Sequence, residues 1–290
     1  MMEPLRTWST PVISEKGIPI DCPLCHSKHF IPSFDCGTYR YVQCKICGLI
    51  QQNPQPAADA VLKRYTTGSG SEYFAYEYTN EIVFLELQKQ ALHDAGFYGI
   101  EGALLADDRT PRILDVGCAT GALLDYLRDR GWDTLGVELC GPAAEYAQTQ
   151  RGLDVFIGTI EEAPYPPESF DVITASHIIE HVNDPVSFVA RIYGLLKKGG
   201  YLFLTTPAAD GFQARLFKSA WRSAIFDHLF LFSKRTIRQL LIKQGFTVET
   251  IATWGGLAKG TVPNWLKGIV DRLVKPLALG DVMIVRGRRR

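Results

Sequence analysis

The chain has 290 residues, and 46% of them are hydrophobic, which is enough to bury one large core and a small satellite domain. Its 31 Lys and Arg residues balance 31 Asp and Glu residues, so no net charge draws the chain to nucleic acid or to an anionic membrane. The sequence contains neither an apolar stretch of about 18 residues nor a signal-peptide pattern. We therefore expect a cytoplasmic protein without a membrane span.

Cysteines mark the first predicted domain, at residues 17–53. Two C-x-x-C pairs, Cys22/Cys25 and Cys44/Cys47, are separated by 18 residues. This pattern is typical of a four-cysteine zinc site, in which each pair forms a tight turn whose backbone N–H groups point at the thiolates. Two buried or reactive thiol pairs are the rarer alternative. We predict a zinc ribbon with these four cysteines as metal ligands.

The residues around the pairs agree with one structural zinc ion. Gly48 follows the second pair and tolerates the positive φ that such a turn requires. Cys36 lies outside both pairs and is predicted to be a small buried residue or a free thiol, and His26 and His29 are not needed to complete the tetrahedron. A ribbon of about 45 residues is too small to fold on its core alone, so the metal is expected to supply folding energy.

Residues 54–110 are predicted to be a linker and a helical lid. The linker begins with an Asn-Pro-Gln-Pro run, which favours extended backbone. A helix is predicted from Glu81 to Ala95, and the residues on its apolar face are Phe84, Leu87, Ala91 and Ala95. An aromatic segment precedes the helix, with Tyr65, Tyr73, Phe74, Tyr76 and Tyr78. Most of these rings are expected to pack on the larger domain; Tyr73, Tyr76 or Tyr78 closing over a ligand pocket is the alternative.

From residue 111 to 290, strands and helices alternate. Strands are predicted near 112–116, 134–138, 154–158, 170–175, 201–205, 247–253 and 281–286. Helices are predicted near 121–130, 142–151, 184–197 and 234–244, the last with Ser233 as its N-cap. Such alternation predicts an α/β fold with a Rossmann-like, doubly wound sheet of about seven strands. Ligands of such sheets bind beyond the carboxyl ends of the strands.

A glycine turn follows the first of these strands, in the sequence ILDVGCATG at residues 113–121. Gly117 and Gly121 let the backbone approach a ligand at a helix N-terminus. Their spacing differs from the G-x-G-x-x-G of dinucleotide sites, and Asp115 would repel a pyrophosphate while accepting hydrogen bonds from an ammonium group. The turn therefore predicts a ligand that carries an amine and no phosphate.

Polar residues also follow the next strands. Glu138 ends the second strand, where a carboxylate can accept hydrogen bonds from both hydroxyls of a ribose. The loop 158–171 after the third strand suits the edge and plane of an adenine. The fourth strand runs into the sequence His177-Ile-Ile-Glu180-His181.

Five stretches occur in order after residue 110: ILDVGCATG, GVE, ESFDVITASHIIEHVNDP, LLKKGGYLFLTTP and HLFLFSKRTIRQLLIKQGF. Together they resemble the class I S-adenosylmethionine-dependent methyltransferases over about residues 110–290. The resemblance implies S-adenosyl-L-methionine as the cofactor, with its methionine end in the glycine turn and its ribose on Glu138. The cofactor-binding residues that it implies are Asp115, Gly117, Cys118, Gly121, Glu138, Leu139, Thr159, Ile160 and His177.

Two features distinguish this chain within the resemblance. The family commonly has Asp at the position of Thr159, so the backbone N–H of Ile160 is left to recognise adenine. Small-molecule O-methyltransferases of ubiquinone biosynthesis, to which the HLFLFS stretch is similar, can bind a divalent ion through Glu-x-x-Glu-His. Here His177 stands for the first Glu, which leaves an ion near Glu180 and His181 an open alternative.

The resemblance and the neutral charge favour methyl transfer to a small-molecule acceptor, with a hydroxyl of a sugar-like or phenolic compound preferred over a carbon or an amine. Methyltransferases with a cysteine ribbon ahead of this core resemble enzymes of polysaccharide and specialised-metabolite pathways. An RNA methyltransferase that holds nucleic acid with its ribbon is the alternative. Residues 17–50 contain only Lys28, Arg40 and Lys45 as clear cations, so we expect no strong nucleic-acid binding. A scaffold without catalytic activity is a third class, and the oligomeric state stays open.

Methyl transfer to a hydroxyl needs a base, and the pKa of histidine is the best matched to that proton. Because His177 is assigned to the cofactor, His181 and His228 are the predicted catalytic residues, with Glu180 as an orienting partner. The alternative for both is structural: His181 capping its turn and His228 packing among phenylalanines.

The segment from Trp254 to Gly280 is inserted before the last strand. Its apolar residues have roughly amphipathic spacing; they are Trp265, Leu266, Ile269, Leu273 and Leu277. Packing against the sheet is the favoured interpretation, and an acceptor wall, a dimer contact or a membrane-facing helix are the alternatives.

Overall fold

A mixed seven-stranded sheet forms the centre of the larger part of the molecule. The structure, a computed structural model, describes residues 17–58, 63, 65–66, 69–255, 274 and 277–290. The strands are β1 (Phe30–Asp35), β2 (Arg40–Cys44), β3 (Ile50–Gln52), β4 (Arg112–Val116), β5 (Asp133–Glu138), β6 (Asp154–Ile157), β7 (Phe170–Ser176), β8 (Leu196–Pro207), β9 (Phe230–Leu231), β10 (Phe246–Trp254) and β11 (Val282–Arg289). The helices are α1 (Ser69–Asp94), α2 (Phe97–Leu105), α3 (Ala122–Arg128), α4 (Gly141–Arg151), α5 (Pro185–Leu195), α6 (Phe212–Phe217) and α7 (Lys234–Lys243).

The strand order of the large sheet is β10-β11-β8-β7-β4-β5-β6. The strands from β6 to β8 are parallel to their neighbours, whereas β11 and β10 pair antiparallel at one side. The order reverses between β4 and β7, which makes this boundary the switch point of the sheet. The predicted Rossmann-like fold class is confirmed.

Apolar periodicity explains why the flanking helices lie on the sheet. The buried side of α5 contains Phe188, Val189 and Ile192, spaced by three or four residues. The buried side of α7 has the same spacing, and Ser233 caps this helix as predicted, by accepting a hydrogen bond from the backbone N–H of Thr236. Within β4, Ile113 and Leu114 are fully buried, as expected for a parallel strand covered on both faces.

Helix α1 differs from its prediction. It begins at Ser69 rather than near Glu81, so it includes most of the aromatic segment that was expected to precede it. Leu87 is 46% exposed, whereas Ala91 and Leu92 are buried, so the predicted apolar face was wrong at Leu87. Leu92 lies on the buried side of the helix instead. The predicted segment began only at Glu81, which was too short to show which side of the full helix is buried.

The cysteine-rich part forms a second sheet with the order β1-β2-β3-β9. Its last strand, β9, comes from the larger part of the chain, and Ile50 pairs with Leu231 across this junction. Buried Leu24 and Leu49 belong to the same apolar cluster as Phe230. The cysteine-rich sheet and the larger part of the chain therefore share a core.

The amphipathic segment before β11 cannot be compared with its prediction, because Trp265, Leu266, Ile269 and Leu273 lie outside the described residues. In the part of the chain that the structure describes, no helix combines the length and the hydropathy needed to cross a bilayer.

Candidate active site and cysteine cluster

The glycine turn lies at the carboxyl end of β4, next to the switch point. Gly117 and Gly121 have φ of +75° and +79°, in the left-handed region that favours glycine. A Cβ on Gly117 would lie 2.2 Å from Cδ1 of Ile178, and one on Gly121 would lie 2.4 Å from Cδ1 of Leu153. The positive φ therefore favours glycine at both positions, and a Cβ at either one would displace the side chain that it meets.

Asp115 is buried beneath this turn. The hydroxyl of Thr174 donates to its Oδ1 at 2.6 Å. Its Oδ2 is buried and has no hydrogen-bond partner among the described residues. Burial, with a smaller contribution from the charge of Glu138, raises the pKa of Asp115 to about 7. An oxygen in this state is an acceptor for a donor that the protein itself does not provide, such as an ammonium group.

Glu138 connects the glycine turn to the end of β5. Its Oε2 accepts the backbone N–H of Ala119 and its Oε1 accepts that of Cys140, both at 2.8 Å. Burial raises its pKa, and these backbone N–H groups oppose that shift. Because a carboxylate offers about four acceptor positions, each oxygen retains capacity for a ribose hydroxyl. Two other residues of the predicted cofactor site lie in these segments: Cys118 is buried and Leu139 is half-buried.

The predicted adenine residues follow β6. The backbone N–H and the hydroxyl of Thr159 donate to Oε2 of Glu162 at 3.0 Å and 2.9 Å, and these bonds lower the pKa of Glu162. Ile160 is buried. Sequence reasoning missed Glu162, whose carboxylate is bonded to Thr159 at this end of β6. The three-residue spacing from Thr159 was the signal available for it.

Helix α1 lies over the glycine turn. A cleft of about 30 Å³ separates Glu77, Glu81 and other residues of this helix from the segment 118–123. Arg151 of α4 pairs with Glu81 at 2.5 Å and links α1 to the edge of the site. Burial and the charge of Glu138 raise the pKa of Glu77 to about 7. The cleft is therefore acidic, and the contribution of Glu77 had no sequence signal because it depends on how α1 packs.

Two polar groups hold the carboxylate of Glu180, which is fully buried after β7. His177 approaches Oε1 through Nδ1 at 3.1 Å, and the hydroxyl of Thr206 donates to Oε2 at 3.0 Å. Burial acts to raise the pKa of Glu180, but the hydrogen bond and charge of His177 and the neighbouring imidazoles lower it to about 2. His177 has φ of +56°, and its side chain meets Glu180 rather than the glycine turn.

His181 and His228 lie together beside this carboxylate, with ring centroids 4.7 Å apart. Nδ1 of His181 is 2.9 Å from the carbonyl oxygen of Asp227, and Nδ1 of His228 is 2.8 Å from that of Ser223. Because a carbonyl oxygen only accepts, each Nδ1 carries the proton and each Nε2 keeps its lone pair. Burial lowers the pKa of both rings, that of His228 to about 3, so both are neutral at pH 7.

The same residues fit a divalent ion. Ligand atoms of Glu180, His181 and His228 lie within 4.8 Å of one another. Imidazoles whose Nδ1–H donates to a backbone carbonyl are typical of metal ligands. The third candidate ligand is His228, which is distant in the sequence. It is not His177, the residue that stands in place of the first Glu of the Glu-x-x-Glu-His pattern. An ion held here would polarise an acceptor hydroxyl and would occupy the Nε2 lone pairs, so it is an alternative to a histidine base rather than an addition to it.

The four predicted zinc ligands come together at the base of the small sheet. The Sγ atoms of Cys22 and Cys47 are 3.3 Å apart, those of Cys25 and Cys44 are 3.4 Å apart, and all four lie within 4.8 Å of one another. Four thiolates around a zinc ion lie about 3.8 Å apart, so the cluster fits a tetrahedral site. Without an ion, burial raises the pKa of Cys22 and of Cys47, whereas burial is outweighed at Cys44 by hydrogen bonds from backbone N–H groups, which lower its pKa to about 6.

The two turns of the cluster have matching backbone geometry. Gly48 donates its backbone N–H to the carbonyl of Cys44 at 2.9 Å, and His26 donates to that of Cys22 at 2.7 Å. Their φ values are +82° and +57°. Sequence reasoning identified Gly48 but not His26, which occupies the equivalent position as a rarer non-glycine residue.

Comparisons with known proteins identify the family. A family model described as a methyltransferase domain matches residues 89–251. The ubiquinone biosynthesis O-methyltransferase of Pseudomonas entomophila is 36% identical over 102 residues, which are 33% of this chain and 44% of that protein. The malonyl-[acyl-carrier protein] O-methyltransferase of Enterobacter lignolyticus is 30% identical over 122 residues, 42% of this chain and 48% of that protein. The chain thus spans about half the length of the curated relatives that it matches.

Solved structures share the fold. A crystal structure of an S-adenosylmethionine-dependent methyltransferase from Archaeoglobus fulgidus has a TM-score of 0.53 and 17% identity, and covers 75% of this chain and 99% of that one. One from Thermotoga maritima has a TM-score of 0.51 and 23% identity, with the same coverage. Because the family model matches more than half of the sequence, the chain belongs to the class I S-adenosylmethionine-dependent methyltransferases. The resemblance seen in the sequence is confirmed.

Proposed function

We propose that this enzyme transfers a methyl group to a hydroxyl of a small sugar-like or phenolic acceptor, with His181 as the base. The observation that carries the proposal is the neutral histidine pair beside the carboxyl end of β7, with each Nδ1 bound to a carbonyl and each Nε2 available. The relatives named above are O-methyltransferases, which supports oxygen as the methylated atom.

The cofactor supplies an electrophilic methyl group on a sulfonium. We assign its amino-acid part to Asp115 and the glycine turn with Gly117, Cys118 and Gly121, because Oδ2 of Asp115 has no partner among the described residues. Its ribose is assigned to Glu138 and Leu139. The adenine is assigned to Thr159 and Ile160, with Glu162 beside them. His177 stays a predicted cofactor contact, although its side chain bonds to Glu180.

The chemistry of an alcohol explains the role of the histidines. The acceptor O–H bond must break as its oxygen attacks the methyl carbon, and a neutral imidazole takes the proton through Nε2. His181 is half-buried and reaches solvent, whereas His228 is buried with a pKa lowered to about 3, which makes it a weak base. His228 instead holds the ring of His181 edge to face.

We also propose that Cys22, Cys25, Cys44 and Cys47 bind one structural zinc ion. Four thiolates leave no open coordination position for a reacting water, so this ion has no catalytic role. The alternative of RNA methylation has no support from the relatives named above.

Turnover of histidine variants tests the base. Release of S-adenosylhomocysteine is followed with a panel of catechols, phenols and monosaccharides. His181→Ala is expected to lose about 10²–10⁴-fold in rate, the usual contribution of a general base, with unchanged cofactor affinity. His228→Ala is expected to lose less.

His93→Ala is the matched control, because that imidazole is exposed on α1 far from the cluster. Near-full activity of His181→Ala with a good acceptor would show that the base is another group.

A further inference from the structure

A short loop lies between the histidine pair and the cysteine-rich sheet. We call residues 223–229 the carbonyl loop, because every backbone carbonyl in it accepts a hydrogen bond. The carbonyls of Ser223 and Asp227 accept from His228 and His181. Most of the others accept from the cysteine-rich sheet. This loop is thus bonded to the proposed catalytic histidines and also to the cysteine-rich part of the chain, residues 17–53. We call residues 17–53 the zinc module, after the zinc ion proposed for its four cysteines.

Two buried side chains of the zinc module make the central contacts. The hydroxyl of Tyr41 lies 2.7 Å from the carbonyl oxygens of both Ile225 and His228, and its single proton donates to one of them. Nε2 of Gln52 donates to the carbonyl of Phe226 at 2.7 Å and also lies 3.1 Å from that of His228. Tyr41 is 1% exposed and Gln52 is fully buried, so water does not replace these bonds if they are removed.

The backbone continues the same connection. The N–H of Gln52 donates to the carbonyl of Leu229 at 2.9 Å, and the N–H of Leu229 donates to the carbonyl of Glu180 at 2.7 Å. Glu180 precedes His181 in the chain. The edge of β3 is therefore two hydrogen bonds away from the residue next to the proposed base.

We propose that the zinc module is a positioning device for the histidine pair, with Tyr41 and Gln52 as positioning residues that act through the carbonyl loop. This inference rests on the proposed function only for its catalytic consequence. The loop carbonyls hold each Nδ1–H, so a displaced loop releases the imidazoles to turn and to exchange tautomers. Misplacement of a reacting group by about 1 Å costs on the order of 10²-fold in rate, so small loop shifts are sufficient to matter.

The test is the double variant Tyr41→Phe/Gln52→Met in the zinc-loaded full chain, which keeps side-chain size and removes the donors. Imidazole ¹⁵N–¹H correlation spectra are expected to show a fixed Nδ1–H tautomer for His181 and His228 in the wild type and a tautomer mixture in the variant. Turnover is expected to fall about 10-fold or more, with the affinity for S-adenosylmethionine changed less than about 2-fold.

Matched controls remove the same groups elsewhere. Tyr98→Phe deletes a hydroxyl that accepts a hydrogen bond from the hydroxyl of Tyr126 at 3.4 Å, and Gln148→Met deletes an amide that donates to the carbonyl of Val155 at 2.7 Å. Both are expected to leave the imidazole spectra unchanged. If the double variant loses its zinc or its cooperative melting, Tyr41→Phe alone, which keeps the buried ring, decides by the same spectra.

The spectra and the rates separate this inference from the proposed function. Unchanged imidazole spectra in a folded, zinc-loaded double variant would overturn the positioning role, even where His181→Ala abolishes turnover. Altered imidazole spectra in the double variant, together with full turnover of His181→Ala, would support the positioning role of the zinc module and would contradict the proposal that His181 is the base.

Discussion

At Asp115, strand β4 brings a single buried carboxylate to the proposed cofactor site. One oxygen is bonded to Thr174 and the other has no partner among the described residues. Since burial raises the pKa of Asp115 to about 7, its folded form retains a proton that the unfolded chain loses near pH 4. By linkage, this group makes the cofactor-free protein less stable as the pH rises from about 4 to about 7.

The affinity for S-adenosylmethionine is expected to depend on pH through this group. An ammonium group binds the carboxylate form, so below pH 7 binding must release the proton of Asp115. The dissociation constant is expected to rise by up to about 10-fold per unit as the pH falls from 7 to 5.5, as measured by titration calorimetry.

Two variants identify the titrating group. Asp115→Asn is expected to bind weakly with little pH dependence, whereas Glu77→Gln, in the same acidic cleft, is expected to keep the dependence. An affinity that stays constant between pH 5.5 and 7 would contradict the assignment of the amine to Asp115.

Glu138 is the second residue of the proposed cofactor site whose role can be tested. Glu138→Ala removes the proposed ribose acceptor and frees two backbone N–H groups of the site. S-adenosylmethionine is expected to bind about 1.5–3 kcal/mol more weakly, the usual value for hydrogen bonds to a charged group. Calorimetry with Glu145→Ala, an exposed carboxylate on α4, provides the control. Equal affinities for the two variants would place the ribose elsewhere.

At the scale of elements, the sequence predicted what depends on local pattern. Most strands of the large sheet begin and end within two residues of their predictions, because each is an apolar run bounded by polar or turn residues. Gly117 and Gly121 were recognisable from the sequence, because two glycines at this spacing directly after a strand are typical of a ligand-binding turn. The paired cysteines were recognisable for the same reason, since C-x-x-C spacing is a property of the chain alone.

Long-range packing accounts for what sequence reasoning missed. α1 begins at Ser69 and lies over the segment 118–123, and no local pattern among its aromatic residues indicates that packing. β9 has only two residues, too few for a period, and forms because β3 pairs with it. The roles of Tyr41 and Gln52 follow from that pairing, so no local pattern indicates them.

Zinc is expected to stabilise more than the small sheet. Purified protein is expected to contain about one zinc per chain, and Cys44→Ser is expected to lower that ratio and the melting temperature. The temperature falls because Cys44 and Leu49 share an apolar cluster with Phe230 of the larger part. Metal analysis and calorimetric melting measure the two effects.

Cys36→Ser is the control for this variant, because Cys36 lies outside the cluster. A protein that contains no zinc and four reactive thiols would contradict the assignment.

At the scale of the whole molecule, three elements converge on one edge of the large sheet. The glycine turn and Glu138 lie at the carboxyl ends of β4 and β5, and α1 lies over the glycine turn. His181 follows β7, and His228, which lies just before β9, packs against His181. The cysteine-rich sheet joins this edge through β9. This arrangement brings the proposed cofactor site and the proposed base to the same edge, with the cysteine-rich sheet bonded to the carbonyl loop.

Transfer of a ¹³C-labelled methyl group from S-adenosylmethionine tests the central proposal most directly. The enzyme is incubated with the labelled cofactor and a mixture of phenolic and sugar hydroxyl compounds, with bulk RNA in a parallel reaction, and the products are examined by ¹³C NMR. We expect the label in the methoxy carbon of a small molecule, with His181→Ala giving a far weaker signal. A label on nitrogen or carbon, or a label recovered only in RNA, would contradict the account.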